Sequence, residues 1–245
     1  MGGWRAHDIP DLTGRQAVVT GANSGLGFHT ALELARHGAD VVLGARSRGK
    51  GETAVLRIRS QVPDARVALR RLDLADLGSV REFAARVDRP LDLLVNNAGV
   101  MAIPARQTHD HFEMQLGVNH LGHFALTGLL LPRLLERPGA RVVTVSSGMH
   151  RMGRLDFTDL MSERSYQPWG AYGRSKLANL LFMRELDRRA RLAGVDLVSV
   201  AAHPGFASTN LQYVGPRMAR RRVHGAAMRV VTHTLAQSAA RGALP

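Results

Sequence analysis

Six short apolar runs, separated by stretches with helical periodicity, constrain the fold of this chain more than any other feature. They are Gln16–Thr20 (QAVVT), DVVLGA at 40–45, Arg66–Arg70 (RVALR), LDLLVNNAG at 91–99, Gly139–Ser147 (GARVVTVSS) and Val195–Gly205 (VDLVSVAAHPG). Their residues are apolar almost continuously rather than at every second position, which marks strands covered on both faces, as in a parallel sheet. The clearest helical patterns are LGFHTALELARHG at 26–38, closed by Gly38, then Phe112–Leu135 and Ala171–Ala193. Strand alternating with helix predicts an α/β protein with helices on both sides of the sheet. No repeat, low-complexity tract or linker divides the chain, so residues 1–245 read as one domain.

Composition narrows the function classes. No run of eighteen apolar residues occurs, so no membrane span is expected. The opening MGGWRAHDIPDLTGR lacks the charged start and apolar middle of a signal peptide. Cysteine is absent, which excludes disulfides and thiolate metal sites and suits a cytoplasmic location. The formal net charge of +13 raises the question of an anionic partner. The basic residues are nevertheless spread along the chain, and the densest cluster, Arg217, Arg220, Arg221 and Arg222, has no interleaved aromatics, so no nucleic acid is expected. The pairs His109/His111 and His120/His123 lack a further ligand at sensible spacing, so no metal is expected.

The first run leads into TGANSGLG, Thr20–Gly27, which opens the first helix. Gly21 permits a tight turn, and Gly25 and Gly27 let a backbone come close to a pyrophosphate. The intervening Asn23, Ser24 and Leu26 belong to the same turn, and the helix N-terminus supplies free N–H groups and a favourable dipole. The spacing is G-x-x-x-G-x-G rather than the common G-x-G-x-x-G, but strand, glycines and helix together point to a dinucleotide. An acidic residue at the end of the second strand would bind the adenosine ribose. Arg46 stands there instead, with Arg48 and Lys50 nearby, which predicts NADP(H) rather than NAD(H).

A second constellation is AYGRSKLANL. The chain has two lysines, Lys50 and Lys176, and three tyrosines. Tyr172 stands four residues before Lys176, on the same face of a helix. A free phenol, with a pKa of about 10, is a poor base at neutral pH. An adjacent ammonium favours the phenolate, and its compact head can also reach hydroxyl groups.

In order along the chain occur TGANSGLG, Asp73-Leu74, NNAG (Asn96–Gly99), VNHLGHF with Asn119, VSS ending at Ser147, YGRSK and HPG (His203–Gly205). This ordered set resembles the classical short-chain dehydrogenases/reductases, and most of all their retinol-dehydrogenase-like branch. The resemblance implies a single Rossmann-type doubly wound parallel sheet, strand order 3-2-1-4-5-6. It implies hydride transfer between NADP(H) and a lipophilic carbonyl or alcohol. By the same resemblance Tyr172 is the general acid/base, and Lys176 lowers its pKa and holds the nicotinamide ribose. Ser147 binds the substrate oxygen, and Asn119 holds a water in a proton relay. Asp73 and Leu74 border the adenine; Asn97, Ala98 and Gly99 form the cofactor floor; Pro204, Gly205 and Thr209 close on the carboxamide.

The chain departs from the family pattern in two places. Ser147 and Tyr172 lie 172 − 147 = 25 positions apart, and the stretch between them carries Met149, Met152, Phe157, Met161, Tyr166 and Trp169, an expected apolar wall over the substrate. The chain also ends at ARGALP, where relatives continue through a further helix and a last edge strand, so that strand is expected to be absent and Arg217–Ala240 to act as a helical lid. A homodimer through the two long helices is expected, without the tetramer common among relatives. A competing expectation is a catalytically weak NADP(H)-binding sensor or scaffold.

Overall fold

The structure is a computed structural model that describes residues 4–205 and 239–243. Six parallel strands form one sheet in the order β3-β2-β1-β4-β5-β6. They are β1 (Gln16–Thr20), β2 (Asp40–Ala45), β3 (Val67–Arg71), β4 (Leu93–Asn96), β5 (Ala140–Val145) and β6 (Leu197–Ala202). The intervening helices are α1 (Gly25–Arg36), α2 (Arg48–Gln61), α3 (Leu77–Ala85), α4 (Met114–Leu116), α5 (Gly122–Leu135) and α6 (Pro168–Leu192). A short α7 (Ala239–Gly242) follows. The expected doubly wound sheet and its strand order are therefore present. Among the described residues β6 pairs with β5 alone, and Val200 on it is 38% exposed.

The continuous apolar character of β1 has a direct structural cause. Val18, with Val42, Leu94 and Val142, faces one layer, packed against Val80 and Phe83 of α3 and Leu126, Leu130 and Leu134 of α5. Ala17 and Val19, with Val41, Leu43 and Val95, face the other, packed against Phe28, Ala31 and Leu32 of α1 and Ala54 and Ile58 of α2. Both faces of each central strand are buried, so both sets of alternating side chains are mainly apolar, and the polar ones lie near the strand ends, as with Gln16, Thr20, Asn96 and Thr144.

Three local differences from expectation have physical reasons. The helix α2 carries a weak apolar stripe, whereas α3 buries Val80, Phe83 and Ala84. Only Gly51, Ala54 and Ile58 of α2 are buried, and α3 starts where the Asp76 carboxylate caps Gly78 N–H and Ser79 N–H. The helix expected over Phe112–Leu135 begins two residues later and passes through a π-helical turn, Gly117–Leu121, between α4 and α5. The helix expected from Ala171 begins at Pro168, a residue favoured at the first turn because it has no N–H to leave unpaired. Residues 217–238, most of the expected lid, and Thr209 lie outside the described residues.

Asp92, just before β4, ties the sheet at its amino end. Its buried carboxylate accepts from Arg15 Nη1 at 2.7 Å and from the Gln16 N–H at 2.8 Å, joining β1 to β4 below their ladder. Asp92→Ala leaves the Gln16 N–H without its acceptor. We expect a loss of about 1–3 kcal/mol in urea unfolding, the cost of an unsatisfied buried donor, and a smaller loss for Asp92→Asn, which keeps an acceptor oxygen. Equal stability of wild type and Asp92→Ala would show that this tie carries no weight.

Candidate active site

All six strands point their carboxyl ends at one edge of the sheet, where open α/β sheets bind ligands. A cavity of about 670 Å³ lies there, running from the β1–α1 turn across to α6. This volume falls within the range of small-molecule sites. Among the described residues, each predicted site residue other than Asn119 contributes to its lining.

At one end the β1–α1 turn forms a cradle. Gly21 adopts φ +66°, a left-handed conformation that side chains disfavour. A Cβ on Gly27 would sit 2.4 Å from Asn97 Nδ2 and 2.7 Å from the Gly21 carbonyl oxygen, so no side chain fits. Asn23, Ser24, Gly25 and Leu26 line the cavity beside them. The Ser24 side chain makes no capping bond, which leaves the first turn of α1 open to an anion. The cradle therefore fits a diphosphate.

Beyond β2, Ala45, Arg46, Ser47 and Lys50 line the same cavity. Arg48, expected to join Arg46 and Lys50, instead pairs with Glu52 at 2.8 Å along the outside of α2. Asp40 lies at the far end of β2 and is held by Arg66 and Arg89, so it cannot serve a ribose at this edge. Asp73 and Leu74 follow β3; the Asp73 carboxylate accepts the Ala75 N–H at 3.0 Å and so shapes its own turn. The floor is Asn97, Ala98 and Gly99, where Asn97 Nδ2 donates to the Thr20 carbonyl at 2.7 Å.

Ser147, Tyr172 and Lys176 meet at the other end. Ser147 sits at the mouth of a 3₁₀ turn after β5 (Gly148–Met152), with its Oγ accepting from the Met149 N–H at 3.3 Å. The Lys176 ammonium is 3% exposed and donates to the Val145 carbonyl at 3.0 Å. Burial pushes its pKa down to about 8. It lies 5.7 Å from the centroid of the Tyr172 ring. Burial also pushes the Tyr172 phenol up, opposed by its hydrogen bond with Ser147. The expected lowering by Lys176 is not seen: burial raises the phenol, and Ser147 is the group that opposes it.

Asn119 is buried in the π-helical turn, beneath the cavity wall. Its amide donates to the Val100 carbonyl and to Ser175 Oγ, both at 2.9 Å, and its Oδ1 accepts the Val100 N–H at 2.8 Å. The carboxamide is thus committed to holding the chain after β4. Pro204 and Gly205 complete the lining on the β6 side, with His203 beside them.

The expected apolar wall is only partly formed. Met149 and Trp169 line the cavity, joined by Met101 from the β4–α4 connection, Met114 from α4 and Val118 from the π-helical turn. Met152 and Phe157 instead face solvent, 62% and 81% exposed. Met161 and Tyr166 turn to structural tasks: Met161 Sδ accepts the Glu113 N–H at 3.4 Å, and the Tyr166 hydroxyl donates to the Ile103 carbonyl at 2.8 Å.

Two residues that sequence reasoning passed over hold this wall. Gln115 is fully buried, donates to the Tyr166 hydroxyl and the Pro168 carbonyl, each at 2.8 Å, and accepts the Ala102 N–H at 2.8 Å. Arg174 donates to the Leu160 carbonyl at 2.5 Å and to Ser162 Oγ at 2.8 Å. Neither stands in a pattern that spacing alone would reveal, since their partners lie in other segments of the chain, 12 to 53 positions away.

Comparison with known proteins agrees with this geometry. The short chain dehydrogenase family matches residues 15–215. Mouse retinol dehydrogenase 12 is 49% identical over 197 residues, which cover 79% of this chain and 62% of that protein. The chain thus spans less than two thirds of the length of the curated relatives it matches. An uncharacterised protein from Mycobacterium paratuberculosis has a solved structure with TM-score 0.78 and 51% identity, covering 92% of this chain and 81% of that one. A short chain dehydrogenase from Escherichia coli CFT073, solved in complex with NADPH, has TM-score 0.68 and 28% identity, covering 86% of this chain and 84% of that one. With this sheet order, and with the glycine cradle and the Ser147–Tyr172–Lys176 cluster in one cavity, the chain belongs to the short-chain dehydrogenase family.

Proposed function

We propose that the protein is an NADP(H)-dependent oxidoreductase that interconverts a lipophilic carbonyl and its alcohol. The observation that carries this reading is the buried Lys176 ammonium beside Tyr172 and Ser147, in the same cavity as a cradle fitted to a diphosphate. A relative solved with NADPH supports the cofactor class, and retinol dehydrogenases among the relatives support the alcohol–carbonyl chemistry. Met101, Met114, Val118, Met149 and Trp169 offer an uncharged lining for an apolar substrate.

Gly21, Gly25, Gly27 and the first turn of α1 would hold the diphosphate, Arg46 and Lys50 the 2′-phosphate, and Asp73 and Leu74 the adenine. Asn97, Ala98, Gly99, Pro204 and Gly205 would enclose the nicotinamide end. When bound, the nicotinamide supplies or accepts the hydride. In the reducing direction the Tyr172 hydroxyl gives its proton to the substrate oxygen as the carbonyl carbon gains hydride, and Ser147 donates a hydrogen bond to that oxygen. The phenolate left behind is favoured by the Lys176 ammonium. With its carboxamide committed and its main-chain carbonyl accepting from His123 Nδ1 at 3.1 Å, Asn119 would hold a relay water through the second lone pair of that carbonyl.

The elevated Tyr172 phenol is protonated at neutral pH, which suits reduction. The Lys176 ammonium is present below about pH 8 and lost above it. Carbonyl reduction, followed as NADPH consumption, is therefore expected to be level near neutral pH and to decline as pH rises through that value. Tyr172→Phe should cost at least about 10²-fold in turnover, the usual loss for a general acid, with NADPH affinity nearly unchanged. Retention of most activity in Tyr172→Phe would remove the phenol from the mechanism.

Arg46 is exposed and borders the cavity without an acidic partner among the described residues. Wild type should bind NADPH more tightly than NADH, and Arg46→Asp should reverse that order in paired titrations. Equal or tighter binding of NADH by wild type refutes the NADP(H) preference.

We also propose a cytoplasmic homodimer. No helix among the described residues is long and apolar enough to cross a membrane, and the chain has no cysteine. Phe124 and Leu129 of α5 and Leu181 of α6 are 57%, 45% and 45% exposed, and Phe124 and Phe182 meet edge to face at 5.6 Å. This exposed apolar face supports the dimer reading. Light scattering across a concentration series should give the mass of two chains, and Phe124→Glu should give one; a wild-type monomer at every concentration rejects the dimer.

A further inference from the structure

We infer that His123 is a positioning residue whose two ring nitrogens lock the cofactor floor, at Thr20, Asn97 and Ala98, to the π-helical turn that carries Asn119. The inference deepens the NADP(H) reading of the cavity and rests on it for its consequence in binding.

His123 lies in α5, 2% exposed, one turn beyond Asn119. Its Nδ1 is 3.1 Å from the Asn119 main-chain oxygen, and its Nε2 is 2.9 Å from Thr20 Oγ1. These contacts fix the tautomer. A carbonyl can only accept, so Nδ1 carries the proton, and a neutral ring then leaves Nε2 bare. The Thr20 hydroxyl must therefore donate to Nε2; the Val95 carbonyl, at 3.3 Å, is its longer alternative. With its proton pointed at His123, Thr20 Oγ1 presents its lone pairs to the N–H groups of Asn97 and Ala98, both at 2.9 Å.

The consequence is one continuous polar connection. It begins at the floor after β4, passes through Thr20 at the end of β1 and crosses the imidazole to the main chain at Asn119. The Asn119 carboxamide returns it to Val100, one residue beyond Gly99. Burial pushes the His123 pKa down to about 3, with Lys176 and His120 also opposing a second positive charge nearby, so the ring stays neutral.

Filling volume does not require an imidazole here. Leu126, Leu130 and Leu134, the next inward positions of α5, are fully buried leucines. A polar ring among them is costly unless both nitrogens are satisfied. Both are, and each partner belongs to an element of the site.

Amide isosteres separate the two bonds. In His123→Asn the side-chain amide nitrogen takes the place of Nδ1, which keeps the Asn119 bond and removes the Thr20 acceptor. In His123→Gln the amide oxygen reaches the place of Nε2 and keeps the Thr20 acceptor. NADPH dissociation constants should rise about fivefold in His123→Asn, the equivalent of one net hydrogen bond, rise at least as far in Thr20→Val, which also removes the acceptor of the Asn97 and Ala98 N–H groups, and stay within about twofold of wild type in His123→Gln and Thr20→Ser. Urea unfolding of each variant establishes that the titrated protein is folded. Amide hydrogen exchange at Asn97 and Ala98, read in the free protein, keeps this inference separable from the cofactor assignment. Faster exchange in His123→Asn but not in His123→Gln supports positioning even if wild type binds no nicotinamide nucleotide, a result that would sink the NADP(H) reading alone. Unchanged exchange at both amides in folded His123→Asn overturns the inference, as does equal exchange and equal NADPH affinity in His123→Asn and His123→Gln.

Discussion

The site is organised around a buried cation. Lys176 is 3% exposed and has a main-chain carbonyl, that of Val145, within bonding distance. Desolvating an ammonium without a carboxylate beside it is costly, and the fall of its pKa to about 8 is the visible result. The fold accepts this because α6 crosses the end of β5, where Ser146 and Asn179 supply further polar ties: Ser146 Oγ to the Lys176 carbonyl and Asn179 Nδ2 to the Val145 carbonyl. An arginine of similar charge would bring a planar fork with five donors to satisfy in the same space.

Hydrogen bonds, rather than apolar packing, set the fine geometry at this end of the sheet. The two apolar layers bring α1, α5 and α6 to the sheet, but burial is non-directional and cannot fix where a loop carbonyl points. That task falls to a few side chains with several bonds each: Asn119 on Val100, Gln115 on Ala102, Tyr166 and Pro168, and Arg174 on the stretch after Ser147. The π-helical turn belongs to this set, since it places Asn119 where its carboxamide can face the chain leaving β4. Such turns often mark functional sites.

Much of this was legible in the chain. Double-sided burial of β1, β2 and β4 writes itself into QAVVT, DVVLGA and LLVN, so the sheet and its covering helices follow from apolar continuity. The glycine cradle is equally legible, because the lack of space around Gly27 and the positive φ of Gly21 leave no other residue type comfortable there. The helix α2 was harder to see, as its inner face uses Gly51 and Ala54 with one larger apolar residue, Ile58.

The sequence by itself determined the parallel doubly wound sheet, the turn that accepts a diphosphate and the i, i+4 pairing of Tyr172 with Lys176, because each depends on local periodicity or on the steric limits of single residue types. Only the tertiary structure decided what lies around them. It turned Arg48 away to Glu52, sent Phe157 and Met152 to solvent and raised the Tyr172 phenol by burial. It also joined Thr20 to His123 across 103 positions of chain. These outcomes depend on which groups from distant segments share a desolvated space, and sequence spacing carries no record of that.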